Sequence, residues 1–351
     1  MQNRIAWLDA AKGIGIIFVV FYHMDPSDPM HEYLTSFLMP LFFFLSGYAL
    51  NWSRHENPSG FVVSRIKSLL VPYLSYAIVL YGVWFLVTSH RNNGDYAALL
   101  RYSARGWLDL LRALFWGSPD LLARTIGNSP LWFLPSLFVA EILYYLIRQL
   151  SENVRYLFAA LVAVSFAEHV NTTSVHLAIP FGGNAALGSV VFYGMGHMAR
   201  EHLNEIMLPE KIYGKILVLL GALNLLLLSQ IIAMNKLVTN GILSGYLFPL
   251  MNAFVGLSFY VMISSKVDQP RWLIFLGRNS LIIYVLNHDL LFLLSFILDQ
   301  IPGVTIHHPP HLLLACVFMT VVLTLLALPF IVIINRFAPF LIGKGYAVKT
   351  A

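Results

Sequence analysis

Charge is what this sequence has least of. Asp, Glu, Lys and Arg make up only 11% of its 351 residues, where a soluble domain carries roughly a quarter. The deficit excludes most soluble enzymes, disordered chains and nucleic-acid-binding proteins. Cysteine is nearly absent as well. The single Cys316 excludes a disulfide framework and a cysteine-based zinc site. No long linker or low-complexity segment divides the chain, so it reads as one domain over 1–351. What is there instead is apolar: 58% hydrophobic residues and a mean hydropathy of +0.72. These values predict an all-α, polytopic integral membrane protein.

A transmembrane helix needs about 20 mostly apolar residues. Ten stretches qualify as candidates, near 5–24, 34–52, 69–89, 131–150, 155–168, 177–199, 213–233, 241–264, 272–297 and 311–334. They do not alternate, as the strands of a closed barrel would. The first stretch carries Asp9 and Lys12 and has no cleavage-site pattern, which argues against a removed signal peptide. Lys and Arg set the orientation. With the N-terminus in the cytoplasm, 14 of the 22 cations fall on the cytoplasmic side, 6 on the other, and Lys12 and Arg278 lie within spans. Both termini are therefore predicted to be cytoplasmic. The longest polar stretch, 90–130, mixes five Arg with Trp107, Leu111, Leu114 and Trp116. It reads as an amphipathic segment on the outer membrane surface, either packing there or gripping a substrate as a lid.

Ionisable groups inside a membrane are costly and point to function. On a helix Lys12 and His23 are 11 residues apart, about 20° past three full turns, so they share one face with a rise of about 16 Å. Structural readings stand beside this: Lys12 snorkelling and pairing with Asp9, and His23 as an interfacial histidine. Glu141, alone inside the fourth span, needs a partner or a role; one such role is orienting His23. Arg278 is placed about one turn inside the cytoplasmic boundary, and His288 and Asp289 at mid-membrane or slightly outward. Ser46-Gly47 permits close helix approach. His307, His308 and His311 lack the spacing of a metal site, and no metal is expected.

Three elements together resemble the acyltransferase-3 family of integral membrane acyltransferases, including its sugar O-acetylating branch. They are Leu8-Asp9-Ala10-Ala11-Lys12-Gly13 closing on His23; Phe42-Phe43-Phe44-Leu45-Ser46-Gly47-Tyr48 followed by Arg65, Lys67 and Pro72-Tyr73; and Leu276-Gly277-Arg278-Asn279-Ser280-Leu281 with Tyr284. Trp132-Phe133-Leu134 is similar to the family's mid-chain signature. The resemblance spans nearly the whole chain. It departs from the family where Lys12 stands in place of the usual Arg, which keeps the charge but loses the bidentate fork. Asn287 likewise occupies the position of a frequent His, with His288 one residue later.

The resemblance implies transfer of an acetyl group from cytosolic acetyl-CoA, as co-substrate, to an extracytoplasmic or lipid-linked glycan. A bacterial inner membrane is the implied setting, with membrane lipids and a carbohydrate acceptor as partners. On this reading Lys12, Arg65, Lys67, Arg278, Asn279 and Ser280 bind the donor. His23 is the catalytic base or acyl carrier, with Glu141 assisting, and Tyr48, Trp132, Tyr284 and His288 meet the substrate. The competing class is a transporter or flippase with charges lining a passage, although no internal repeat supports it.

Overall fold

A chain in lipid must satisfy its own backbone hydrogen bonds, which limits it to helices or closed barrels. This chain takes the first course: no strand occurs among the described residues. The computed structural model describes residues 5–24, 26–54, 57–89, 107–202, 210–236, 242–266, 270–298 and 313–344. Its helices are α1 (Ala6–Tyr22), α2 (Asp28–Ala49), α3 (Pro58–Arg65), α4 (Val71–Ser89), α5 (Trp107–Trp116), α6 (Pro119–Ile126) and α7 (Phe133–Leu150). There follow α8 (Val154–Val170), α9 (Gly183–His202), α10 (Glu210–Lys236), α11 (Ile242–Lys266), α12 (Arg271–Arg278), α13 (Ser280–Leu298) and α14 (Leu313–Phe337).

Nine of the ten apolar stretches each coincide with one of these helices over most of their described length, and the ninth in order covers two. Among the described residues, five helical segments are long and apolar enough to cross a membrane by length and composition alone. The ninth stretch is not one continuous helix. It breaks at Asn279 into α12 and α13, with Asn279 at φ −111°, ψ 14°. The third begins earlier than expected, because a π-helical turn, Ile66–Leu70, joins α3 to α4 without interruption. Such turns are frequent at functional sites, and this one sets Arg65 at the junction.

Helix α1 lies at the centre, packed on α2, α11, α12, α13 and α14. Its contact with α12 is as close as two backbones allow. A Cβ on Gly277 would run into the Asp9 carbonyl of α1, and Gly13 of α1 abuts Leu273. The α2–α9 contact is of the same kind: a Cβ on Gly47 would meet the Tyr193 carbonyl. The predicted Ser46-Gly47 approach is thus made, and α9 is its partner. Peripheral faces of α10 and α14 stay apolar and exposed, with Val218, Leu219, Leu225, Leu314, Phe318 and Val332 outward, as lipid contact requires.

Candidate active site

The site is built along α1. Its first turns carry Asp9 and Lys12, and its C-cap is His23. The helical register between Lys12 and His23 is therefore kept, and the two mark opposite ends of the bundle.

At the Lys12 end the intramembrane charges meet across helices. Arg65 Nη1 donates to Glu141 Oε2 at 3.1 Å, with the carboxylate side chain only 4% exposed. Arg65 also lies over the Phe61 ring, 5.2 Å from its centroid. Lys12 is close enough to act on the same carboxylate electrostatically. Arg278 Nε donates to Asp9 Oδ2 at 2.9 Å. Asn279 donates to Phe275 O and accepts from Asn335 Nδ2, at 2.9 and 2.8 Å.

These contacts bear on four expectations. The carboxylate of Glu141, expected to assist His23, is taken by Arg65. Asp9 pairs with Arg278, since the backbone contact at Gly277 brings the two helices together at that level. Arg278, expected about one turn inside the boundary, is 45% exposed on the bundle surface. Tyr48 stands edge-on to Trp7, ring centroids 4.7 Å apart. That places it beside the first turn of α1, at the other end of that helix from His23.

Between the two ends a narrow cavity of about 150 Å³ is lined by Lys12, Ser46, Phe42, Phe133, Ser280 and Tyr284, among others. Ligand pockets for drug-sized molecules run to roughly 300–1,000 Å³. This one is too small for a sugar and suits a thin chain. Four of the predicted site residues or their motif neighbours converge here: Lys12, Ser46, Ser280 and Tyr284.

At the far end the His23 Nδ1 lies 2.7 Å from the Val19 carbonyl oxygen. A carbonyl only accepts, so Nδ1 carries the hydrogen and Nε2 keeps its lone pair. His31 and His288 lie within electrostatic reach of His23. Tyr22 stacks on His31 at 4.2 Å and stands edge-on to His23 at 5.2 Å. His288 bonds the Gly127 backbone. Its buried Nδ1, and the buried Oδ1 of neighbouring Asn287, have no hydrogen-bond partner among the described residues. Buried polar atoms are rarely left so. Asn287 is a core residue, donating to Tyr284 O at 2.6 Å.

The 128–132 turn is clamped to α13. Asn128 Nδ2 donates to Val285 O and to Asp289 Oδ2, both at 2.7 Å. Tyr284 Oη donates to Pro130 O at 2.5 Å. The clamp sets Phe133 on the narrow cavity and Trp132 on a second one of about 490 Å³, lined also by Arg112, Trp116, Ser118, Gly182 and Asn184. The 107–126 part of the amphipathic stretch thus forms a cavity wall. It is tied down by Phe181 N to Phe115 O and Gly182 N to Trp116 O, both 2.9 Å. Residues 90–106 lie outside the described residues, as do His307, His308 and His311.

The sequence reading missed Glu168. Its buried carboxylate accepts from Thr172 Oγ1 at 2.7 Å, Asn184 Nδ2 at 2.9 Å and Asn171 Nδ2 at 3.1 Å. It faces a third cavity of about 510 Å³, which shares Asn184 and Ala185 with the second. A carboxylate two residues from the end of a helix gives no signal on its own. Among the described residues no group of three or more His, Cys, Asp or Glu could hold a metal ion.

The helices thus enclose a narrow cavity lined by Lys12, and the His23 imidazole caps the far end of α1. A family model described as an acyltransferase domain matches residues 5–329, and the chain belongs to the acyltransferase-3 family. No curated protein and no solved structure matches the chain. It is a membrane acyltransferase.

Proposed function

We propose that the protein moves an acetyl group from cytosolic acetyl-CoA to a hydroxyl of an extracytoplasmic or lipid-linked glycan, in a bacterial inner membrane. The observation that carries this reading is the state of His23: Nδ1–H given to the Val19 carbonyl, Nε2 left as a base. The donor's thin arm enters the narrow cavity past Lys12 and Ser280 and points its thioester outward. On this reading Lys67, Arg278 and Asn279 bind the phosphate-bearing end. Arg65 is held by Glu141 and, with Lys12, sets the positive field there.

The acceptor sugar takes the Trp132 cavity. Trp116 and Trp132 offer aromatic faces to its C–H surface, while Arg112 offers donors to its hydroxyls. His23 Nε2 removes the hydroxyl proton as the oxygen bonds to the thioester carbonyl carbon. The C–S bond then breaks, and the departing thiolate takes up a proton. In the two-step variant Nε2 first accepts the acetyl group and passes it to the sugar. On this reading His288, within electrostatic reach of His23, meets the acceptor.

The test is radiolabelled acetyl transfer from acetyl-CoA to a lipid-linked glycan extract, with mass spectrometry for a gain of one acetyl group. Labelled glycan that depends on the intact protein supports the reading. Glycan uptake into vesicles without any acetylation would replace it with transport.

A further inference from the structure

A fourth cavity, of about 450 Å³, opens beside the α12–α13 break. It is lined by Phe275, Arg278, Asn279, Asn335, Arg336 and Lys344, with Ile331 and Val332. Three of these are cations, and no carboxylate is among its lining residues in the described chain. The positive-inside rule accounts for the side of the membrane on which they lie. It does not account for their convergence on one hollow.

The convergence is built by the chain's return after α14. Residues Pro339–Ile342 form a 3-10 turn that ends at Gly343, φ +69°. A Cβ at Gly343 would stand 2.8 Å from both the Lys67 carbonyl oxygen and Ser68 Cα. Only glycine meets both demands, the left-handed backbone and the close packing. The turn brings Lys344 back against α14, where its N donates to Pro339 O at 3.0 Å and its Nζ to Asn335 Oδ1 at 3.3 Å. Asn335 Nδ2 donates in turn to Asn279 Oδ1. Asp9 holds the Nε edge of Arg278, which fixes the direction of that guanidinium. Two guanidiniums and an ammonium around one hollow suit a multiply charged oxyanion, because arginine forks match phosphate geometry.

We propose that this cavity is an organophosphate site. Its phosphate belongs either to an anionic phospholipid or to the nucleotide end of coenzyme A; the second source rests on the donor reading above. The wall favours a ligand with an apolar part, since Val332 is 61% exposed on the lipid-facing side of α14 and Phe275 flanks the cations. Basic pockets of this kind at the cytoplasmic side of helical bundles bind lipid headgroups.

The experiment uses the full chain in phosphatidylcholine nanodiscs. Coenzyme A is titrated from solution. Separately, phosphatidylglycerol is doped into the disc and retained lipid is counted by native mass spectrometry. The variants are Arg336→Gln with Lys344→Gln, and Asn335→Asp, which is nearly isosteric and sets a negative charge inside the cavity. The expected result is that both variants lose affinity for at least one probe by about tenfold or more. Loss for coenzyme A assigns the cavity to the donor, and loss for phosphatidylglycerol assigns it to lipid. Unchanged affinity for both probes in folded variants overturns the proposal. Variant-sensitive lipid binding in a protein with no affinity for coenzyme A leaves the site standing and removes the donor reading.

Discussion

Arg65 and Glu141, 76 positions apart in the chain, form an ion pair at 3.1 Å in which the carboxylate is almost fully buried. Removing one partner from a buried pair typically costs about 3–5 kcal/mol, whereas replacing both with apolar groups is often neutral. Glu141→Ala and Arg65→Ala should each lower the thermal midpoint of the detergent-solubilised protein. The double variant Arg65→Met with Glu141→Leu should recover most of the loss. Independent, additive losses would show that the two groups do not act as a pair.

The narrow cavity gives a steric prediction. Ser46 lines it with Lys12, Ser280 and Tyr284, and Leu at position 46 fills a space with room only for a thin chain. Ser46→Leu should abolish acetyl transfer and donor binding while the glycan is still retained. Normal donor use in this variant would place the arm elsewhere.

Lys12 tests the charged side of the same channel. Charge-assisted hydrogen bonds contribute about 1.5–3 kcal/mol, or roughly a ten- to hundredfold change in affinity. Lys12→Met should weaken acetyl-CoA binding by that range in a calorimetric titration and leave glycan binding nearly unchanged. Lys12→Arg should restore most of it, because the charge is kept. Equal weakening toward donor and glycan would count against a donor role.

Tyr284 lines the narrow cavity and, through its bond to Pro130 O, holds the turn that carries Trp132 of the second. Tyr284→Phe leaves that buried carbonyl without its partner, at a cost of about 1–3 kcal/mol, and loosens the turn that carries Trp132. The KM for the acceptor should rise more than the KM for the donor. A purely structural tyrosine would change stability and leave that ratio alone.

Much of the fold was legible because lipid imposes a simple rule: long apolar runs become helices, and each of the ten runs did. The break at Asn279 was not, since the one glycine beside it, Gly277, also serves the close contact with α1 and so carries no separate signal of a break. Within the site, the Lys12–His23 relation was readable because it is local to one helix. The partners of Asp9 and Glu141 were not, because they lie on α12 and at the end of α3, and only packing decides which cation comes nearest. The place of Tyr48 beside Trp7 was not legible for a similar reason: its motif gives its neighbours in sequence, while the direction of α2 sets which end of the bundle it reaches. Glu168 and the Arg336–Lys344 hollow depend on loops folding back, which periodicity does not record.

The central claim is that His23 carries the acyl-transfer chemistry. It is tested most directly by measuring radiolabelled acetyl transfer from acetyl-CoA to glycan with purified His23→Ala and His23→Gln in nanodiscs, alongside their thermal midpoints and donor affinity. The account predicts folded variants that bind acetyl-CoA as the parent does and transfer no acetyl group. Full transfer activity in either folded variant would contradict it.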